Sequence, residues 1–257
     1  MEKLALFDVD YTITKKETLM EFYKYIVSRD IKNIKFLPRA LYSGAMYGVG
    51  IYDEKRVKES FLKFIENIEE KDLAILTKEF YHDRLSKILY KDAVDMIKKL
   101  KNEGYMVILI SASPEFYIKE FYAIDEVDLI IGTRFKFENG KFIRSMDGNN
   151  CKGQEKVRRL KDVLKEKNIR ADFKNSYMFS DSLSDKPLLD LVGNVFVCHG
   201  VSSFRPGPFR ARKNDPCPRK DQYGIDLWDK SRKTSAVPPK LAQVRPLGDV
   251  PSHVFPW

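Results

Sequence analysis

The stretch FDVDYTIT, residues 7–14, places two aspartates two positions apart directly after the apolar run Leu4–Phe7. Such a run predicts a buried strand, and in a strand residues i and i+2 point to the same side. Asp8 and Asp10 are therefore expected to face one site just beyond the end of this strand. Two like charges held together need a compensating cation, and a hard divalent ion with oxygen ligands is the natural candidate. The alternative is that the pair only ends the strand and begins a turn.

The charge of the 257-residue chain is unevenly distributed. Its net charge is +9, but residues 1–199 contain 35 basic against 32 acidic side chains, whereas residues 200–257 contain 11 against 5. The main body is thus nearly balanced, and no specific nucleic-acid partner is predicted for it. A nucleic-acid role for the basic tail is the weak alternative, since the tail carries no recognisable binding motif.

The cysteines and the apolar stretches exclude several classes of protein. Cys151, Cys198 and Cys217 form no CxxC pair, so neither a zinc site nor a disulfide framework is indicated. The first residues do not have the pattern of a secretory signal, and the uncharged stretch 41–52 is too short to span a bilayer. We therefore expect a cytoplasmic protein without a membrane partner; the sequence does not predict its oligomeric state.

Short apolar runs alternate with helical patterns through most of the chain, which favours an α/β fold with a Rossmann-like, mainly parallel sheet and helices on both faces. Helices are predicted at 93–104 and 152–168 from apolar residues at helical spacing. The predicted strands are 3–8, 105–111, 127–132, 176–180 and, more weakly, 195–198.

Two segments depart from this alternation. Residues 15–88 contain long helical stretches, such as 17–30 and 53–70, with no convincing strand between them, and predict an inserted helical cap. Its aromatic residues Phe36, Tyr42, Tyr47 and Tyr52 are expected to pack within the cap, and the alternative is that they line a pocket for a less polar phosphomonoester. Residues 134–144 alternate around Asn139-Gly140 and predict a hairpin that forms a small flap.

The tail after residue 199 differs in composition from the rest of the chain. Nine of the twelve prolines fall there, and it contains no glutamate. We expect residues 200–257 to be a disordered appendage or a foreign, out-of-frame extension. The predicted organisation is thus a core of residues 1–14 and 89–199, a cap of residues 15–88, and the atypical tail.

Each predicted strand end carries a residue suited to phosphoryl transfer. Ser111 ends the strand YMVILIS, Asp181 and Asp185 follow the strand SYMFS, and Lys152 precedes a helix in CKGQEK. With DxDxT at Asp8, these motifs resemble, in the same order, the four motifs of the haloacid dehalogenase superfamily. The position of the helical insert and the segments SASP, CKGQEK and SDSLSDKPLL are similar to the branch that contains phosphoserine phosphatase, subfamily IB.

The resemblance implies a Mg²⁺-dependent phosphatase acting on a small phosphomonoester. Asp8 would be the nucleophile that forms an aspartyl-phosphate, and Asp10 the general acid and then the general base. Magnesium would be held by Asp8, the backbone carbonyl of Asp10 and Asp181, and Asp185 would orient Lys152 and support the ligands of the metal.

The resemblance also assigns the phosphate and substrate contacts. Ser111 and Lys152 would bind phosphoryl oxygens, and Thr12 would contribute its hydroxyl to the loop. Glu17 would meet a substrate amine, and Arg56 is a candidate for a substrate carboxylate. Each has a plain structural alternative: a strand-end turn for Ser111 and Thr12, and a solvated helix charge for the lysine and the arginine.

Phosphoserine is the first expected substrate, and a phospho-amino-alcohol or another small phosphomonoester is the alternative. Transfer to an acceptor other than water would make the enzyme a phosphotransferase. A receiver-like module that is phosphorylated on Asp8 without turnover is the non-enzymatic alternative. The predicted cap argues against it, because a switch module does not need a cap that closes over its site.

Overall fold

The computed structural model describes residues 1–197, which form one mainly parallel sheet, a separate hairpin and the helices around them. The strands are β1 (Leu4–Phe7), β2 (Met106–Pro114), β3 (Leu129–Thr133), β4 (Phe135–Glu138), β5 (Lys141–Met146), β6 (Tyr177–Ser180) and β7 (Asn194–Val197). The α-helices are α1 (Thr18–Arg29), α2 (Leu37–Gly48), α3 (Glu54–Phe61), α4 (Glu70–Asp83), α5 (Lys91–Asn102), α6 (Glu115–Ile118), α7 (Gln154–Glu166) and α8 (Lys186–Leu189). Short 3₁₀ turns lie at Ile31–Phe36, Leu62–Ile65, Leu85–Ile88, Lys119–Ala123, Phe173–Asn175 and Leu183–Asp185.

Strand β1 lies at the centre of a five-stranded parallel sheet with the order β3-β2-β1-β6-β7. Leu4 and Leu6 point into the apolar layer that includes Leu160 of α7, whereas Ala5 and Phe7 point into the layer that includes Ile97 of α5. Helices therefore cover both faces of the sheet. The predicted α/β fold is confirmed, and each predicted strand is present within a few residues of its expected ends; Cys198 lies outside the described residues.

Strand β1 is buried on both faces because parallel strands in a doubly covered sheet have no side that meets water. All four of its residues are inaccessible to solvent, and the ring of Phe7 stacks on that of Phe179 with centroids 4.4 Å apart. The backbone N–H of Asp8 continues the pairing by donating to the carbonyl of Phe179 at 2.9 Å. This rigid strand fixes the position of the residues that follow it.

The predicted continuous helical stretch 53–70 is wrong. Helix α3 ends at Phe61, a 3₁₀ turn follows, and α4 begins only at Glu70, with Asn67 at φ 66° between them. The break is stabilised by the hairpin of β4 and β5, because Asn67 donates its backbone N–H to the carbonyl of Phe142 and Glu70 donates to Gly140. The hairpin is consequently attached to the insert rather than standing free as a flap.

The chain leaves and re-enters the sheet region at one place. The backbone N–H of Lys15 donates to the carbonyl of Ile88 at 2.8 Å, and that of Tyr90 donates to Ile13 at 2.9 Å. The helices α1 to α4 lie between these two paired connections. The exact division into a core of residues 1–14 and 89–199 and a cap of residues 15–88 stays a prediction, and the predicted tail lies outside the described residues.

Candidate active site

The turn after β1 presents the two aspartates at the edge of the sheet. The carbonyl of Val9 accepts hydrogen bonds from the backbone N–H groups of Thr12, Ile13 and Thr14, which folds the chain back on itself. Tyr11 adopts φ 55° within this turn, a conformation in which glycine is the least strained residue. The hydroxyl of Thr12 is buried and accepts the backbone N–H of Asp181 at 3.1 Å, so the turn is tied to the end of β6.

A buried lysine joins two of the carboxylates. Nζ of Lys156 donates to Oδ1 of Asp8 at 2.8 Å and to Oδ2 of Asp185 at 2.7 Å, and its side chain is only 2% exposed. Burial raises the pKa of Asp8 to about 7; the ammonium of Lys156 opposes this shift, whereas Asp185 and Asp10 add to it. Burial would lower the pKa of Lys156, but the attraction of Asp8 and Asp185 outweighs it and keeps the lysine charged.

Asp10 is held by groups from two other elements. Its Oδ1 accepts the backbone N–H of Thr18, at the start of α1, at 2.7 Å, and its Oδ2 accepts the hydroxyl of Ser113 at 2.6 Å. The backbone N–H of Ser113 donates in turn to Oγ of Ser111 at 3.0 Å. Ser111 and Ser113 are both buried near the end of β2, so neighbouring strand ends position Asp10 and Ser111 together.

These groups line one cavity of about 480 Å³ at the end of the sheet. It lies between the strand ends and α3, so both the sheet and the helical insert contribute to its walls. Of the residues predicted for the site, the cavity is lined by Asp8, Asp10, Glu17, Ser111, Lys152, Asp181 and Asp185. The residues that the prediction missed include Tyr11, Tyr47, Glu54, Lys58, Lys156 and Ser184.

The lysine that contacts Asp8 and Asp185 is Lys156, not Lys152. Lys152 also lines the cavity, but its side chain is 41% exposed and pairs with Glu54 of α3. Lys152 lies in the loop before Gly153, whereas Lys156 lies in the first turn of α7. The side chain of Lys156 therefore reaches Asp8 at the end of the sheet. The expectation that Asp185 orients Lys152 is therefore wrong, because Asp185 accepts from Lys156 and from the hydroxyl of Ser180.

Arg56 does not line the cavity. Its guanidinium lies over the ring of Tyr52 at 4.2 Å from the centroid, on an exposed side of α3. Lys58 of the same helix lines the cavity instead, and it donates to the carbonyl of Ala112 at 2.7 Å and to Oδ1 of Asn150 at 2.9 Å. Helical spacing places Glu54 and Lys58 on one side, and the sequence alone did not show which side faces the sheet.

Glu17 lines the cavity and caps α1, where its carboxylate accepts the backbone N–H of Met20 at 2.7 Å. Burial, with a smaller contribution from Asp10, raises the pKa of Glu17 to about 7. A cationic group beside Glu17 would lower this pKa again and favour the charged carboxylate, so the position suits recognition of a cation.

The insert is bound to the sheet by a polar network at Asn150. Its side-chain oxygen accepts from Lys58 and from the hydroxyl of Thr133, and its side-chain nitrogen donates to Glu54 at 2.9 Å. Glu54 also pairs with Lys152, and these contacts keep the pKa of Glu54 below its usual range although burial acts in the opposite direction. Asn150 therefore links Glu54 and Lys58 of α3 to the loop before α7.

The donor set of the cavity fits a hard divalent cation. Its four aspartates meet one buried ammonium, and Oδ1 of Asp185 is buried without a hydrogen-bond partner in residues 1–197. Burial and the neighbouring carboxylates Asp185 and Asp10 raise the pKa of Asp181. Within the described part of the chain, no three Asp, Glu, His or Cys side chains already converge as a metal cluster.

The family of the chain follows from its sequence as a whole. A family model described as haloacid dehalogenase-like hydrolase matches residues 5–190, which includes every strand end of the cavity. The chain belongs to the haloacid dehalogenase-like hydrolase family. In this hydrolase the matched region starts in β1 and ends just after α8.

Curated relatives of the hydrolase include several phosphatases. It is 26% identical over 210 residues to the protein CicA of Caulobacter vibrioides, covering 80% of this chain and 88% of that protein. A probable phosphatase of Mycobacterium tuberculosis is 22% identical over 204 residues, covering 78% and 70%. A histidinol-phosphatase of Neisseria meningitidis is 24% identical over 201 residues, covering 75% and 88%.

Solved structures share the fold of the hydrolase. A protein of unknown function from Bordetella pertussis aligns with a TM-score of 0.68 and 22% identity, covering 76% of this chain and 89% of that chain. A substrate-bound phosphoserine phosphatase aligns with a TM-score of 0.53 and 17% identity, covering 76% and 85%. Together with the family and the named relatives, these findings confirm the prediction of an enzyme, a phosphatase by class. Assignment to subfamily IB stays a prediction.

Proposed function

We propose that the protein hydrolyses a small phosphomonoester through an aspartyl-phosphate on Asp8, with Mg²⁺ as its cofactor. The observation that carries the proposal is the pairing of Asp8 with the buried Lys156, beside Asp10 and Ser111, in one cavity. A carboxylate held by an ammonium and open to a cavity is positioned to attack an incoming phosphorus.

The other groups take roles that follow from their contacts. Asp10, held by Thr18 and Ser113, would protonate the leaving alkoxide and then remove a proton from the attacking water. Lys156 would balance the charge that gathers on the phosphoryl oxygens, and Ser111 would donate a hydrogen bond to one of them. Lys156 thus takes the role predicted for Lys152.

Mg²⁺ would be held by Asp8, Asp10 and Asp181, with Asp185 in support, and would supply positive charge that favours attack on the phosphoryl group. The orphaned Oδ1 of Asp185 and the raised pKa values of Asp8 and Asp181 support a cation at this place. The partners are then a small phosphomonoester and the ion, in a protein for which we keep the prediction of a cytoplasmic location.

A phospho-amino-alcohol becomes the first candidate substrate, and phosphoserine, the first expectation from the sequence, becomes the second. Glu17 is an acceptor suited to a substrate amine in both. The position of Arg56 outside the cavity removes the group predicted for a substrate carboxylate, and Lys58 is already engaged by Ala112 and Asn150. These contacts favour an amine-bearing substrate without a carboxylate, which is the chemistry named for the histidinol-phosphatase relative.

The decisive experiment measures phosphate release from phosphoserine, phosphoethanolamine and p-nitrophenyl phosphate, with Mg²⁺ or with EDTA, for the full chain and for Asp8→Asn. We expect metal-dependent release that the substitution lowers by at least about a thousandfold. Trapped phosphate on Asp8 without turnover would support the receiver-like alternative. A folded protein that neither releases phosphate nor becomes labelled would refute the proposal.

A further inference from the structure

The exposed apolar side chains of the protein are concentrated in one short segment. Half of the fourteen large apolar side chains exposed in residues 1–197 lie between residues 31 and 51. They are Ile31, Ile34, Leu41, Tyr42, Tyr47, Val49 and Ile51. We name residues 31–52, which contain α2 and the turns beside it, the α2 surface. Tyr42 is exposed but packs edge-on against Tyr52, whereas Tyr47 is exposed and lines the cavity, as the alternative prediction had it.

Helix α2 presents its apolar side outward. Among its twelve residues, all of them described, Ser43 is the one that is buried. The hydroxyl of Ser43 donates to Oγ of Ser60 on α3 at 2.7 Å. Nε of Arg39 also donates to Oγ of Ser60, at 3.1 Å. The helix is therefore anchored by polar contacts while Leu41, two thirds exposed, faces water. Apolar patches of this kind mark interaction sites more often than scattered single side chains do.

The charge of the α2 surface indicates the chemistry of its partner. The segment contains Lys32, Lys35 and Arg39 and no aspartate or glutamate. The two lysines are exposed on the turn that leads into α2. Apolar and basic side chains on one exposed helical segment are the combination that binds an anionic lipid surface.

Two other occupants fit this charge poorly. In a symmetric dimer the same patch would meet itself, so the cations of both copies would lie close together, with acidic side chains only at its two ends, at Asp30 and Asp53. Residues 200–257 carry 11 basic against 5 acidic side chains, and a net positive segment would be repelled by the same lysines. An anionic surface satisfies both the apolar and the basic side chains.

We propose that the α2 surface docks the protein on an anionic lipid bilayer. Leu41, Val49 and Ile51 enter the boundary between headgroups and acyl chains, and Lys32 and Lys35 contact lipid phosphates. No helix of the described residues is long and apolar enough to cross a membrane, and a peripheral contact needs none. The prediction of no membrane partner rested on the lack of a membrane-spanning segment, and a peripheral contact is compatible with that lack.

The docked orientation brings the cavity close to the lipid surface. Tyr47 belongs to the α2 surface and also lines the cavity, where its hydroxyl donates to Oε1 of Glu54 at 3.1 Å. The mouth of the site thus lies beside the docking residues. The docking proposal itself stands on exposure and charge and does not depend on the proposed function.

The test is co-sedimentation of the full chain with vesicles of phosphatidylcholine alone or with an equal amount of phosphatidylglycerol. We expect binding to the anionic vesicles and little to the neutral ones. The triple variant Leu41→Ser, Val49→Ser, Ile51→Ser should lower the partition coefficient by about tenfold or more. The double variant Lys32→Glu, Lys35→Glu should lower it by a similar factor.

The matched control is Ile75→Ser, because Ile75 on α4 is 58% exposed and lies outside the α2 surface. It should bind like the unchanged chain. Unchanged binding by both α2 variants would overturn the proposal and assign the attraction to the basic tail. Absence of binding would overturn it too, and a dimer that the triple variant converts to a monomer would assign the surface to a second copy.

Discussion

Lys156 is the single side chain on which the geometry of the site depends most. It is fully enclosed, and its ammonium is shared by Asp8 and Asp185. Removing one partner of a buried ion pair leaves the other charges uncompensated, which costs more than the pair itself contributes. An exposed pair such as Lys152 with Glu54 contributes little, since water screens it.

The comparison of Lys156→Ala with Lys152→Ala separates these two cases. We expect Lys156→Ala to lower the free energy of unfolding by about 3–5 kcal/mol, and Lys152→Ala by less than about 1 kcal/mol. Urea denaturation in EDTA measures both. Phosphate release should fall by at least about a hundredfold in the first variant and by less than about tenfold in the second. Equal losses would contradict the assignment of Lys156.

The raised pKa of Glu17 predicts a dependence of stability on pH. The folded protein keeps a proton on Glu17 up to about pH 7, whereas the unfolded chain releases it near the ordinary value of 4.5. Stability from this group is therefore complete below about pH 4.5 and is lost as the pH rises to about 7. Glu17→Gln should reduce this loss by about 1–3 kcal/mol.

Urea denaturation between pH 4 and 8, with EDTA present, checks the direction. Glu54→Gln is the contrasting variant, because the pKa of Glu54 lies below its usual range. Its contribution is present above the unfolded pKa and is lost as the pH falls, so this variant should be destabilised at pH 7. An unchanged pH profile for Glu17→Gln would show that its carboxyl titrates normally.

The sequence predicted the types of residue in the site better than their identities. Asp8, Asp10 and Ser111 follow apolar strands, and parallel strand ends meet at one edge, so their convergence was predictable. The choice between Lys152 and Lys156 was not, because the predicted helix began at residue 152, whereas α7 begins at Gln154 and leaves Lys152 in the loop before it. Ser113 lies two residues after Ser111 on β2, so strand periodicity places both side chains on the same side.

At the scale of elements, Gly193 and Gly44 differ in how much space surrounds their Cα atoms. A Cβ on Gly193 would lie 1.8 Å from the carbonyl oxygen of Lys174, directly before β7. A Cβ on Gly44, in the exposed α2, would meet no atom within 4 Å. The first glycine permits a close backbone approach, and the second only weakens its helix.

Alanine at these two positions is expected to change the free energy of unfolding in opposite directions. Gly193→Ala should lower the free energy of unfolding by more than about 2 kcal/mol, because backbone must move to accept the methyl group. Gly44→Ala should raise it by about 0.5–1 kcal/mol, since alanine favours a helix. Thermal unfolding of the two variants beside the unchanged chain tests the pair, and a neutral Gly193→Ala would mean that β7 approaches Lys174 less closely.

The strands of the parallel sheet were predictable from the sequence because they are short apolar runs, most deeply buried in β1 and in the middle of β2. The break between α3 and α4 was not, because the carbonyls that stabilise it belong to Gly140 and Phe142, far along the chain. A helical pattern reports the intrinsic preference of its own residues, and a distant hairpin can override that preference.

At the scale of the whole molecule, stability should depend on the metal. Four aspartates surround the cavity while Lys156 is the only cation that bonds directly to Asp8 within residues 1–197. A divalent ion that binds only the folded state stabilises it by about 2.7 kcal/mol at a hundred times its dissociation constant. Mg²⁺ should accordingly raise the Tm by several degrees relative to EDTA.

Calorimetry of the full chain provides this readout without a substrate. Asp181→Asn is the matched variant, since it removes a predicted ligand and the charge of a carboxyl whose pKa is raised. It should unfold at the same temperature with Mg²⁺ and with EDTA. A Tm increase that persists in Asp181→Asn would place the ion elsewhere.

The paired connections at Lys15–Ile88 and Ile13–Tyr90 make the helical insert an exchangeable cassette. Both connections are backbone hydrogen bonds, so neither depends on the identity of a side chain in the insert, and β1 and β2 pair directly with each other beside them. Asp8, Asp10 and Lys156 all lie outside it. Evolution can therefore replace the part proposed to select the substrate while it preserves the part proposed to perform the chemistry.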